Sequence, residues 1–148
     1  MLLGSGGAAR GVVKTLLVQQ PERFVIANRT LAKAQALAQT FGDGLEAVAY
    51  ASLAGLQFDL VINATSASLA GTLPPLPPGI FAQGSLAYDM MYGMGETSFI
   101  EFARHEGAAK LADGLGMLVE QAAESFFVWR GVRPDTTPVL ALFRQASA

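Results

Sequence analysis

The 148-residue chain contains no cysteine and a single histidine, His105. The first absence excludes disulfides, thiolate zinc centres and cysteine nucleophiles together; with so little histidine, no metal site is expected. Charge is also sparse. Only 15% of residues are charged, ten basic and twelve acidic, and they are scattered along the chain. No basic stripe is available to neutralise a phosphate backbone, so nucleic acid is not an expected partner. No apolar run approaches the roughly 20 residues that span a bilayer, and no basic segment followed by an apolar core and cleavage site opens the chain. Neither membrane insertion nor secretion is expected, which points to the cytoplasm. No repeat of about 20–50 residues is visible.

What is present is a glycine cluster at the start. Met1-Leu2-Leu3 is followed by Gly4-Ser5-Gly6-Gly7-Ala8-Ala9-Arg10, which contains Gly4-x-Gly6-x-x-Ala9. In a dinucleotide site the first glycine permits a tight turn, the second lets the backbone approach a pyrophosphate, and a small third residue allows helix to pack on strand. The strand feeding this turn has three residues where about 5–6 are usual, so the chain is expected to be truncated upstream of Met1.

Apolar periodicity predicts a helix from Gly7 to Leu17, a strand at Phe24–Ala27, and a helix carrying Leu31, Ala34, Leu37, Ala38 and Phe41 behind Thr30 as N-cap. Ala47–Ala49 reads as a weak strand and Phe58–Asn63 as a buried one, ending in the polar loop Thr65-Ser66-Ala67-Ser68. Leu73–Gly79 is proline-rich loop, Ser85–Asp89 a strand, Thr97–His105 a short helix and Ala109–Ala112 the last strand. A long helix from about Leu115 to Arg130 closes at Gly131, and another runs from Pro138 to about Gln145. Strands alternating with helices predict an α/β fold: a Rossmann-like, doubly wound, mostly parallel sheet in three α/β/α layers, ordered 3-2-1-4-5-6, with additional C-terminal helices.

An NAD site usually carries an acidic residue about 20 residues beyond the glycine loop, where it meets the ribose hydroxyls. Here Asn28-Arg29-Thr30 stands at that place, with Lys33 one turn later. A guanidinium fork suits the 2′-phosphate of NADP, so NADP is the expected cofactor; an ordinary solvated arginine is the alternative. No catalytic residue is assigned. Tyr88, Tyr92 and Asp89 are the proton-transfer candidates near the cleft, and none is an obvious base. His105 reads as a surface residue, and isolated methionines commonly fill cores.

Five blocks carry a family resemblance: Gly4 to Ala9, Ile26-Ala27-Asn28-Arg29-Thr30, Ile62-Asn63-Ala64-Thr65-Ser66, Tyr88-Asp89-Met90-Met91-Tyr92-Gly93, and Asp113-Gly114-Leu115-Gly116-Met117-Leu118-Val119-Glu120-Gln121-Ala122-Ala123. The chain resembles the NADP-binding C-terminal domain of shikimate dehydrogenase along essentially its whole length, residues 1–148 forming one Rossmann domain. The resemblance implies NADP-linked interconversion of 3-dehydroshikimate and shikimate, on the route to chorismate and the aromatic amino acids. It assigns the pyrophosphate to Gly4, Ser5, Gly6, Gly7 and Ala8, and the adenosine phosphate to Asn28, Arg29, Thr30 and Lys33. Thr65 and Ser66 would line the cofactor cleft, Met90, Gly114 and Met117 would border the nicotinamide, and Tyr92 and Gln121 would touch substrate. In the family an N-terminal domain carries the substrate serines and a catalytic Lys–Asp pair. The chain alone is therefore expected to bind NADP(H) and to be inactive, with shikimate or 3-dehydroshikimate bound only in company with that domain. Helices over about 115–148 would pack toward it, and their uncovered apolar residues leave room for a homo-oligomer. Two alternatives are a stand-alone NADP-binding or regulatory module and a quinate-type dehydrogenase.

Overall fold

The strand that feeds the glycine turn is central. In the computed structural model, which describes residues 1–42, 44–67, 71–93 and 95–146, six parallel strands form one sheet ordered β3-β2-β1-β4-β5-β6, the order expected for a doubly wound fold. The chain runs β1 (Leu2–Leu3), α1 (Gly7–Val18), β2 (Val25–Ala27), α2 (Leu31–Phe41) and β3 (Glu46–Val48), followed by a 3-10 turn, Tyr50–Leu53. It continues through β4 (Phe58–Asn63), β5 (Phe81–Asp89), α3 (Ser98–His105), β6 (Lys110–Ala112), α4 (Leu115–Arg130) and α5 (Thr137–Ala146). Ser68 of the polar loop lies outside the described residues.

Alternation along the strands builds two cores, one on each face of the sheet. Leu3, Val25, Ala27, Val61 and Ala87 pack with Phe99, Ile100 and Ala103 of α3, while Leu2, Ile26 and Ile62 pack with Ala9 and Val13 of α1 and Ala34 and Leu37 of α2. The three layers follow directly. Leu2 and Leu3 are wholly buried, and each such side chain contributes about 1.5–3 kcal/mol. A two-residue strand thus holds the centre because both of its side chains are enclosed.

Three details differ from the sequence expectation. β5 begins at Phe81, four residues before Ser85, because Gly84 at φ 80° and a register shift opposite Phe58 and Leu60 interrupt the alternation without ending the strand. Thr30 stands at the N-cap of α2, yet its side chain makes no capping bond; the Thr97 hydroxyl does cap α3, accepting from the Ile100 amide. The 3-10 turn after β3 had no sequence signal, being short and closed only by local bonds such as Ser52 N–H to the Ala49 carbonyl. No described helix is long and apolar enough to cross a membrane.

Candidate functional site

At the carboxyl ends of β1, β2 and β4 the chain leaves a cleft of about 650 Å³. Its floor is the glycine turn. Gly4 sits at φ 98°, a conformation that L side chains rarely adopt. A β-carbon there would stand 3.0 Å from both the Ala64 carbonyl oxygen and the Thr65 methyl, so the next strand's loop seals this position from behind. Gly6 and Gly7, by contrast, have nothing within 4 Å of where a β-carbon would be. Among the described residues no side chain caps the first turn of α1, whose leading amides have no partner within the helix. The glycine that cannot change is walled by protein, and the two after it face open space.

The second wall comes from β2. Asn28 and Arg29 line the cleft, and the Asn28 side-chain amide donates to the Thr30 carbonyl at 2.9 Å, fixing the bend from which exposed Arg29 projects. Thr30, at the N-cap of α2, and Lys33, on its first turn, are exposed and are not among the lining residues. Tyr50, at the start of the 3-10 turn, is a lining residue that sequence reasoning missed. Burial pushes its phenol pKa up, and the charge of Arg29 opposes that push.

The third wall is the β4 loop, with Thr65 and Ser66, and beyond it Pro74 and Pro75 of the proline-rich segment. Behind this wall lies a buried polar knot. The Asn63 amide donates to Asp89 at 3.1 Å, and its carbonyl accepts from the Thr65 hydroxyl at 2.7 Å. Asp89 also accepts from the Met91 amide at 3.0 Å and from the Thr97 hydroxyl at 2.6 Å. Asn63 and Asp89 are both wholly buried, so Asp89 is a structural tie between the ends of β4 and β5, with no free carboxylate for proton transfer. Both residues stood in the resemblance blocks; their strand-end positions were the available signal.

Met90, Gly114 and Met117 do not line this cleft. Met90 is buried in the α1 and α2 core with Met117 packed against that core, and Gly114 lies against the Met90 carbonyl. Met91, the residue between Met90 and Tyr92, is what reaches the cleft from this side. Met117 borders a neighbouring hollow of about 620 Å³ with Tyr88 and Asp113. Tyr92 is 45% exposed just past β5, and Gln121 is exposed on α4. Among the described residues no lysine or histidine lines the cleft, and the His105 side chain is 86% exposed elsewhere.

A family profile described as Shikimate / quinate 5-dehydrogenase matches residues 1–70, and one described as Shikimate 5'-dehydrogenase C-terminal domain matches residues 114–142. The chain belongs to the shikimate dehydrogenase family. The shikimate dehydrogenase (NADP(+)) of Nitrosospira multiformis is 63% identical over 149 residues, an alignment that takes in 99% of this chain and 54% of the relative. Among solved structures, an Ael1 enzyme from Pseudomonas putida superposes with a TM-score of 0.88 at 52% identity, covering 95% of this chain and 52% of that one. The shikimate dehydrogenase of Thermus thermophilus in complex with NADP(H) and shikimate gives 0.78 at 34% identity, covering 98% and 54%. The chain thus spans about half the length of the shikimate dehydrogenases it matches. The glycine turn, Arg29 and the Thr65 loop fall within the first matched segment, and Gly114, Met117 and Gln121 within the second.

Proposed function

We propose that this chain holds NADP(H) in the cleft above β1, β2 and β4 and is the cofactor-binding half of a shikimate dehydrogenase, acting in the interconversion of 3-dehydroshikimate and shikimate. The observation that carries the reading is the pairing of an uncapped α1 N-terminus, opened by Gly6 and Gly7, with Arg29 at the end of β2. Backbone amides of the first helical turn, together with the helix dipole, hold the pyrophosphate. Arg29 supplies a guanidinium where an NAD site would carry a carboxylate, and so favours the 2′-phosphate.

The bound nicotinamide would supply the hydride acceptor or donor, and the chain supplies its position. Thr65 and Ser66 shape the wall between the two ends of the dinucleotide. Tyr92 and Gln121 would face the substrate, and Met90, Gly114 and Met117 would border the nicotinamide, with Met91 lining the cleft beside Met90. Among the described residues the cleft offers no lysine or histidine to exchange a proton with a hydroxyl, so this chain alone is expected to bind the dinucleotide without turning over shikimate.

Calorimetric titration of the purified chain with NADP, NAD and shikimate separately tests this. NADP binding tighter than NAD by about tenfold or more is expected, with little heat from shikimate alone. Equal affinity for the two dinucleotides, or none for either, would overturn the reading; shikimate oxidation at an ordinary enzyme rate would place the proton-transfer group on this chain.

A further inference from the structure

We infer that Tyr50 is a second donor to the 2′-phosphate that distinguishes NADP from NAD, gripping it together with Arg29. The assignment rests on the cofactor reading above and adds a selectivity residue to it. Strand register carries it. β2 and β3 run in parallel with Ala27 opposite Val48, so two residues past each strand Arg29 and Tyr50 leave the sheet side by side. Both line the same cleft.

The two partners differ in how they are held. Arg29 is exposed, on a bend fixed by the single Asn28 to Thr30 contact, and its long side chain must be ordered when it clamps an anion. The Tyr50 ring is partly buried against the core that includes Leu53 and Phe58, and it opens the 3-10 turn. Its phenol is felt electrostatically by Arg29. A packed phenol offers a neutral, oriented O–H at little entropic cost. Toward a phosphate oxygen it makes a charge-assisted hydrogen bond; toward the ribose hydroxyl of NAD it makes only a neutral one. The difference between those two bonds is the discrimination that Tyr50 would add.

Tyr50→Phe keeps the ring and its packing while removing the donor. Calorimetry on the full chain is expected to show NADP affinity falling about tenfold, with NAD affinity within about twofold of the parent. Phosphorus NMR provides a readout that packing alone would not move: the pKa of the bound 2′-phosphate, near ~6 for such groups when free, is expected to rise in the variant because one donor to the dianion is gone. Unchanged NADP affinity, or equal losses for NADP and NAD, would overturn the assignment. If the parent selects NADP, Arg29→Ala abolishes that selection and Tyr50→Phe leaves it intact, the cleft reading stands and the role of Tyr50 falls. A parent chain with no affinity for NADP would remove both.

Discussion

The carbonyl of Met90, the first residue beyond β5, is pressed against the α-carbon of Gly114 at the start of α4. A β-carbon on Gly114 would lie 2.7 Å from the Met90 carbonyl carbon and closer still to its oxygen, while the Gly114 amide donates to the Met91 carbonyl at 3.0 Å. Strand end and helix start are joined backbone to backbone, and no side chain fits between them. Since backbone atoms cannot rotate aside as a side chain can, Gly114→Ala must push α4 away from β5. A loss of stability of about 1–3 kcal/mol or more is expected from such overpacking, read as a lower denaturant midpoint. An unchanged midpoint would mean that α4 slides freely over Met90.

The glycine turn predicts a separation of stability from binding. Gly4→Ala places a side chain at φ 98° and 3.0 Å from the Ala64 carbonyl, so it is expected to cost about 1–3 kcal/mol of stability. Gly6→Ala meets no described atom within 4 Å apart from its own chain neighbours, at an N-cap residue with an ordinary negative φ of −78°. It should cost no more than about 1 kcal/mol, from the poorer N-cap that alanine makes, and weaken the dinucleotide, because the new methyl group occupies the approach to the pyrophosphate. Loss of fold at Gly6, or unimpaired binding there, would contradict this division.

Much of the architecture was legible because it depends on local chemistry. The boundaries of β4 and α4 follow from a buried apolar run and from a helical pattern closed by Gly131. The sheet order followed from strands alternating with helices behind a glycine fingerprint, a pattern that needs no side-chain detail. The cleft floor was legible through Gly4, Gly6 and Gly7, which are needed for backbone reasons that a sequence displays. The place of Tyr50 was not. Which residue past β3 comes to line the cleft with Arg29 depends on inter-strand register, and which of Met90 and Met91 lines it depends on how the chain leaves β5; neither is a property of the local sequence.

Asp89 is fully buried and accepts hydrogen bonds from three parts of the chain, so removing one donor should be felt beyond its own site. Thr97→Val removes the hydroxyl that both donates to Asp89 and accepts from the Ile100 amide at the start of α3. A cost of about 1–3 kcal/mol is expected from the lost cap and the lost hydrogen bond to a charged acceptor. Thr97→Ser keeps the hydroxyl and should restore most of it. If valine and serine cost the same, the methyl packing and not the hydroxyl holds the joint.

Arg29→Ala is expected to weaken NADP much more than NAD, by about 1.5–3 kcal/mol, the range for hydrogen bonds to a charged group. Because Arg29 is exposed and makes no ion pair among the described residues, stability should change little. Raising the salt concentration should narrow the gap between the two dinucleotides in the parent but not in the variant. Equal losses for both cofactors would assign Arg29 to the adenosine or pyrophosphate instead.

Tyr50 gives the cleft a pH signature. Burial raises its phenol pKa above the ordinary 10.0, and Arg29 acts in the opposite direction. The protonated phenol is the neutral form, so above about pH 10 the unfolded chain loses this proton while the folded chain retains it, and stability must fall with rising pH until the folded pKa is passed. Tyr88 is shifted the same way by burial and then by Asp113, so it adds to the fall. Tyr50→Phe should therefore make the alkaline decline shallower without abolishing it. Arg29→Ala should make it steeper, since the charge that partly offsets burial is gone and Tyr50 moves higher still. Urea midpoints measured on either side of pH 10, with tyrosinate absorbance followed in parallel, check both signs. A decline that Arg29→Ala leaves unaltered would show that the guanidinium and the phenol do not interact.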